Sequence, residues 1–170
     1  MEKYVINTST LIIINKNNYS MVIENDQQLI VNKTAKDIIE DSCNYYGSSL
    51  KGRISGSKNL IGVGYKCPII INENKSIIFF PTSGLRDNNC IWISLNNIEK
   101  YYVNELGKTE IIFKNNYKIT LLLSLGIIDR QILRATRLLA VLNGRKWHNY
   151  LLNKYILCYN NFVYRSTNYI

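Results

Sequence analysis

Thr10-Leu11-Ile12-Ile13-Ile14-Asn15-Lys16-Asn17-Asn18-Tyr19-Ser20-Met21-Val22-Ile23-Glu24 reads as two strands around a turn. Thr10–Ile14 and Tyr19–Glu24 are β-branched or apolar, and Asn15–Asn18 is turn chemistry between them. Working outward, Gln28–Asn32 predicts a third strand. Thr34 then offers an N-cap with Asp37 three residues on, and Ala35, Ile38, Ile39, Ser42, Cys43 and Tyr46 recur at helical spacing. Gly47 closes that helix as its C′ residue.

Strands return further along. Ile69–Asn72 and Ser76–Phe80 flank a hairpin-length gap at Glu73-Asn74-Lys75, Pro81 ends the second run, and Cys90–Ser94 resumes it. Ile98–Val103, Glu110–Phe113 and Tyr117–Leu123 read as a meander. Ser124 can cap a helix to about Asn143, with Gly144 as its C′ residue and a second, aromatic-rich helix over 145–165. On the first of these, Ile128, Ile132, Ala135, Leu139 and Leu142 share one face and Arg130, Arg134 and Arg137 the opposite one. The predicted fold is α+β, a mostly antiparallel sheet with one helix near 34–46 and a C-terminal helical element. Residues 1–124 would form the β-rich core and 125–170 the helical element, within the same domain or as a small appendage.

The 170 residues carry a formal charge of +9, unevenly placed. Residues 1–46 are slightly acidic and 68–129 balance. Residues 47–67 carry Lys51, Arg53, Lys58 and Lys66 with no acid. Residues 130–170 carry seven cations with no acid, Arg130, Arg134 and Arg137 among them. Solubility alone gives no reason to exclude acids from such stretches, whereas a polyanionic partner does. Abundant Ile (26) and Asn (23) mark AT-rich codons, which also inflate Lys. Arg is not favoured by such codons, so the arginine series is the more informative part of the basic signal.

Catalytic constellations are not legible. Cys43, Cys67, Cys90 and Cys158 are widely spaced with no C-x-x-C, and His148 is the single histidine. That disfavours a zinc site and a disulfide scaffold and leaves four thiols in a reducing cytoplasm. Gly47-Ser48-Ser49 lacks a nucleophile elbow, and the glycines at 47, 52, 56, 62 and 64 fit neither a P-loop nor a dinucleotide fingerprint. No enzyme, cofactor or metal is expected. With 46% apolar residues the chain can build a core, yet its apolar runs are too short to span a bilayer, so no membrane partner is expected.

Residues 48–66 combine glycines, hydroxyls and cations. A flexible surface loop and a loop contacting phosphate and groove fit them equally.

The block Asp41-Ser42-Cys43-Asn44-Tyr45-Tyr46-Gly47-Ser48-Ser49-Leu50-Lys51-Gly52-Arg53 resembles the ComK family of bacterial competence transcription factors. The likeness continues in order through Lys66-Cys67-Pro68-Ile69, Ile78-Phe79-Phe80-Pro81-Thr82 and Cys90-Ile91-Trp92-Ile93-Ser94. It covers about residues 41–98 and is weak before residue 41. The resemblance implies an activator of DNA-uptake genes that binds paired AT-rich boxes, largely through the minor groove, as homodimers or dimers of dimers. It also implies an adaptor of regulated proteolysis and RNA polymerase as partners, in a cytoplasmic, nucleoid-associated setting.

The charge pattern agrees physically, because a narrow A-tract groove concentrates negative potential that Arg or Lys reads. A slim Gly-Ser loop could enter it, and no helix-turn-helix is evident. Ser48, Ser49, Lys51, Arg53 and Lys58 are therefore expected to contact groove and phosphates. Arg86, Arg130, Arg134 and Arg137 would add phosphate contacts, and residues 145–170 would support oligomerisation. The rival readings are a sequence-independent architectural DNA protein and a protein–protein module for an acidic adaptor, with a nuclease as the enzymatic alternative.

Overall fold

The computed structural model describes residues 1–166, with side chains described through His148. Nine strands and three helices follow in the order β1 (Thr10–Lys16), β2 (Tyr19–Glu24), β3 (Gln28–Val31), α1 (Ala35–Tyr45), α2 (Leu50–Ile61), β4 (Ile69–Asn72), β5 (Ile77–Pro81), β6 (Ile91–Ser94), β7 (Ile98–Val103), β8 (Thr109–Phe113), β9 (Lys118–Leu121) and α3 (Leu125–Ser166). The fold is α+β with antiparallel sheets. Two compact units divide the chain, Met1–Leu138 and Leu139–Ile170.

The larger sheet has the order β3-β2-β1-β6-β5-β4. It is two local meanders, β1-β2-β3 and β4-β5-β6, joined where Ile12, Ile13 and Ile14 pair with Ile93, Trp92 and Ile91. Asn17 takes φ 53° in the β1–β2 turn, a left-handed conformation that Asn tolerates. One face of the sheet packs Ile13, Val22, Ile69, Ile71, Ile77, Phe79 and Trp92 with Ala35, Ile38, Ile39 and Cys43 of α1 and Leu50 of α2. On the other face Ile12, Ile23, Ile78, Phe80 and Ile93 are equally buried. The sheet is therefore covered on both sides, which explains why its strands read as continuous apolar runs rather than alternating ones.

The second sheet has the order β7-β8-β9, the expected meander. It is tied to its surroundings by polar contacts. Asn97 Nδ2 donates to the Thr8 and Thr10 carbonyls at 3.1 Å, and Tyr101 Oη donates to Asp129 Oδ1 of α3 at 2.6 Å.

Helix α1 forms as its caps predict. Thr34 Oγ1 accepts from the Asp37 N–H at 3.2 Å and Gly47 follows with φ 74°. Helix α2 corrects two expectations at once, the loop over 48–66 and the single helix before the C-terminal element. Ser49 caps it by accepting from the Gly52 N–H at 3.1 Å, and Gly62 closes it at φ 68° with its N–H on the Lys58 carbonyl. Leu50, Ile54, Ser57 and Ile61 form its inward stripe. Gly52 and Gly56 each cost about 1 kcal/mol relative to Ala in a helix. Burial of the stripe and two good caps outweigh that cost. With the turn at Tyr46–Ser49, α1 and α2 make a helix–turn–helix pair that the sequence did not reveal.

Helix α3 corrects the C-terminal expectation, since it runs unbroken from Leu125 to Ser166 through Gly144. Gly144 does not adopt positive φ, and no proline follows to force a stop. The buried stripe of its first turns is Ile128, Gln131, Ala135 and Leu138, whereas Ile132 and Leu139 are only half-buried. The stripe is thus rotated toward the arginines relative to the apolar pattern, because a glutamine occupies a core position.

Candidate nucleic-acid interface

That glutamine organises the site. Gln131 is 2% exposed, and its Nε2 donates to the Pro81 carbonyl at 2.6 Å and the Lys66 carbonyl at 3.1 Å. It thereby fastens α3 to the end of β5 and to the segment before β4. Its Oε1 accepts from Arg134 Nη1 at 3.0 Å, and the same guanidinium nitrogen donates to the Tyr65 carbonyl at 3.1 Å. Arg134 is consequently half-buried and fixed rather than waving from a solvated face.

Around this clasp lie adjoining depressions. A cleft of about 880 Å³ is lined by Lys58 of α2, Tyr65 and Lys66 of the α2–β4 segment, and Arg86 of the β5–β6 loop. A smaller pocket of about 190 Å³ shares Tyr65 and Lys66 with it and adds Arg130, Gln131 and Arg134. A third, of about 510 Å³, shares Lys58 and Leu85 with the large cleft and adds Lys36, Glu40 and Lys51. The two acid-free stretches, more than sixty residues apart in sequence, meet here. Both reach the same buried thiol: burial pushes Cys67 up, and Lys58 and Arg134 each oppose that shift.

Asp87 is the acid lining the large cleft. The Asn89 N–H donates to Asp87 Oδ1 at 2.8 Å, and that bond, with further help from Ser83, holds its carboxyl below the usual range. Asp129, beside Arg130 in sequence, is turned to Tyr101. The groove walls therefore present cations close together in a concave setting, which focuses positive potential.

Apart from Arg134, held in the clasp by Gln131 and the Tyr65 carbonyl, the expected contact residues separate into two groups. Lys51, Lys58, Arg86, Arg130 and Arg137 are exposed, and all but Arg137 line these depressions. Ser48, Ser49 and Arg53 belong to the architecture. Ser49 is the α2 cap, the Ser48 N–H donates to the Cys43 carbonyl at 2.9 Å, and the Leu50 N–H faces Glu40 Oε1 at 3.4 Å. Arg53 Nη1 lies 2.6 Å from Glu73 Oε1, its side chain only 15% exposed, so it joins α2 to the β4–β5 turn. The segment expected to enter a groove is thus a helix whose first turn is engaged internally.

Sequence reasoning named no role for Tyr65, Lys66 or Gln131. Lys66 was visible as part of an acid-free stretch. Gln131 carried no signal, since a buried glutamine is recognised only from its partners.

The thiols fit a passive role. Cys43, Cys67 and Cys90 are free and buried, and burial pushes Cys43 up to about 11. Among the described residues no group of three His, Cys, Asp or Glu side chains could hold a metal ion. Among them, too, no helix is long and apolar enough to cross a membrane.

A concave, largely cation-lined surface on an α+β scaffold concentrates positive potential, which favours anionic partners. The chain's family is given by comparison. The ComK protein family matches residues 1–146, so the chain belongs to the ComK family, whose members are competence transcription factors and not enzymes. The match begins at residue 1, extending the likeness well before residue 41. The chain is also 29% identical over 138 residues to a protein described as competence transcription factor from Bacillus subtilis (strain 168). That stretch covers 79% of this chain and 72% of the relative. No solved structure matches the chain.

Proposed function

We propose that this protein activates transcription of DNA-uptake genes by binding AT-rich promoter boxes, largely in the minor groove, as a homodimer or higher assembly in the cytoplasm. The observation that carries the reading is the convergence of Lys58, Lys66, Arg86, Arg130 and Arg134 on adjoining depressions from three separate parts of the chain. Family membership supplies the transcriptional context.

The helical α2 reshapes the division of labour. An α-helix with side chains is about 10–12 Å across, and a minor groove is about 6 Å wide. Helix α2 does not fit such a groove, so Lys51 and Lys58 serve phosphates along its rim. The element slim enough to enter is the Ser83–Asn89 loop, which carries Arg86 between Gly84 and Asp87. Arg130, Arg134 and Arg137 then extend the phosphate track, setting register and affinity rather than specificity. Arg53, Ser48 and Ser49 act indirectly by holding α2 in place.

Competition between AT-box and GC-rich duplexes across a salt series tests the reading. Lys58→Ala is expected to weaken both duplexes alike and to reduce the salt slope by about one charge. Arg86→Ala is expected to erode the preference for the AT-box. Equal affinity of the wild type for both duplexes would leave only a sequence-independent architectural role, and full discrimination by the Arg86 variant would remove the loop from the groove.

A further inference from the structure

Tyr65 is a large aromatic residue standing 64% exposed between two cationic depressions that both include it in their walls. Its position is held from three directions. Arg134 donates to its carbonyl at 3.1 Å, and the Lys66 ammonium lies 5.5 Å from its ring centroid. The ring itself rests on Gly84, where an added Cβ would come within 2.7 Å of the Tyr65 hydroxyl and 3.3 Å of the ring.

The backbone beside it is strained. Lys66 adopts φ 51°, a left-handed conformation that is unfavourable for a residue with a Cβ. The Lys66 ammonium donates to the Thr82 carbonyl at 3.2 Å while lying beside the ring. A left-handed backbone retained next to an exposed aromatic, seated against Gly84 and beside an ammonium, is the pattern of a recognition element, since packing alone gives no reason to place a large ring where solvent covers it.

Resting on the DNA-binding reading above, we propose that Tyr65 is the apolar contact of this surface, its ring pressing against a base step or sugar while the surrounding cations hold phosphates. Apolar wedges and stacking aromatics add affinity that salt does not screen, which separates this role from that of the cations. Gly84 is then a positioning residue, because a Cβ there would push the Tyr65 hydroxyl and ring aside. Both features lie on segments that differ from the exposed face of α2, so neither depends on a helix entering the groove.

The experiment measures binding of an AT-box duplex by the full chain across a salt series for wild type, Tyr65→Ala, Tyr65→Phe and Gly84→Ala, with urea unfolding as a check on folding. Tyr65→Ala is expected to weaken binding about 5- to 100-fold at every salt concentration, leaving the slope unchanged. Tyr65→Phe is expected to keep wild-type affinity, and Gly84→Ala to lose affinity with wild-type slope. Undiminished binding by Tyr65→Ala overturns the proposal while leaving the DNA reading intact. A slope reduced by a full charge overturns it too, because the loss would then come from disturbed phosphate contacts. Failure of the wild type to bind any duplex instead removes the DNA reading itself.

Discussion

Replacing Gln131 with Leu tests the clasp between α3 and the first sheet. The substitution keeps the side chain's bulk and apolar stem but deletes its amide. Two donated hydrogen bonds are lost, to the Pro81 carbonyl at 2.6 Å and the Lys66 carbonyl at 3.1 Å, along with the bond accepted from Arg134 at 3.0 Å. Pro81 is buried, so its carbonyl would be left without this donor. A net hydrogen bond contributes about 0.5–1.5 kcal/mol, and an orphaned buried acceptor costs about 1–3 kcal/mol. Greater burial of apolar surface returns part of this, so the expected loss is about 2–4 kcal/mol. Urea unfolding monitored by fluorescence measures it, with Leu133→Ala as a control on the exposed side of α3, where a change within about 0.5 kcal/mol is expected. DNA affinity of the refolded variant should also fall, because Arg134 loses one of the two acceptors that aim it. Stability within about 0.5 kcal/mol of wild type would refute the idea that the polar clasp adds to the apolar packing of Ile128, Ala135 and Leu138 in fixing α3.

Helix α2 offers a contrasting pair: Gly56→Ala has open space and helical backbone and should stabilise by up to about 1 kcal/mol, whereas Gly62→Ala, at φ 68°, should destabilise by about 1–2 kcal/mol in chemical denaturation. A double-mutant cycle on Arg53 and Glu73 should give a coupling of about 0.5–1 kcal/mol, and Arg53→Ala should leave the salt slope of DNA binding unchanged. Glu24 supplies the pH prediction. Burial raises its carboxyl, but hydrogen bonds from Tyr4, Asn7 and Gln27 outweigh that and leave it below its ordinary value of 4.5. A depressed folded value means stabilisation that is present above the unfolded value and lost as pH falls through the folded one. Glu24→Gln should therefore flatten the stability profile below about pH 4.5, and an unchanged acid limb would count against the network.

The strands were legible because their runs are apolar, β-branched and separated by Asn-rich turns, as at Asn17-Asn18. Helix α1 was legible because Thr34, Asp37 and Gly47 announce both ends. Helix α2 was hidden because Gly52 and Gly56 oppose helix formation and Ser57 occupies an inward position where a larger apolar residue would have completed the pattern. Its stability comes from burial of Leu50, Ile54 and Ile61, a tertiary effect that local sequence does not carry. Charge counting located the two basic stretches correctly but not their relation, since Tyr65, Lys66 and Arg134 meet only through the fold. Arg53 and Lys58 looked equivalent in sequence, and the position of Glu73 after β4 separates them.

The six-stranded sheet also sets an order of events. Each of its meanders needs only hairpin contacts, whereas the seam between β1 and β6 joins Ile12–Ile14 to Ile91–Ile93 across most of the large unit. Such a non-local pairing repays its loop-closure entropy only once formed, so its completion is the expected slow step, and φ-value measurements at Ile13 and Trp92 would test it. During synthesis at about 5–20 residues per second, β1 waits about 4–15 s before β6 is made. Throughout that interval its apolar edge has no strand beside it, which makes the nascent chain, rather than the finished protein, the species most exposed to chaperones and aggregation.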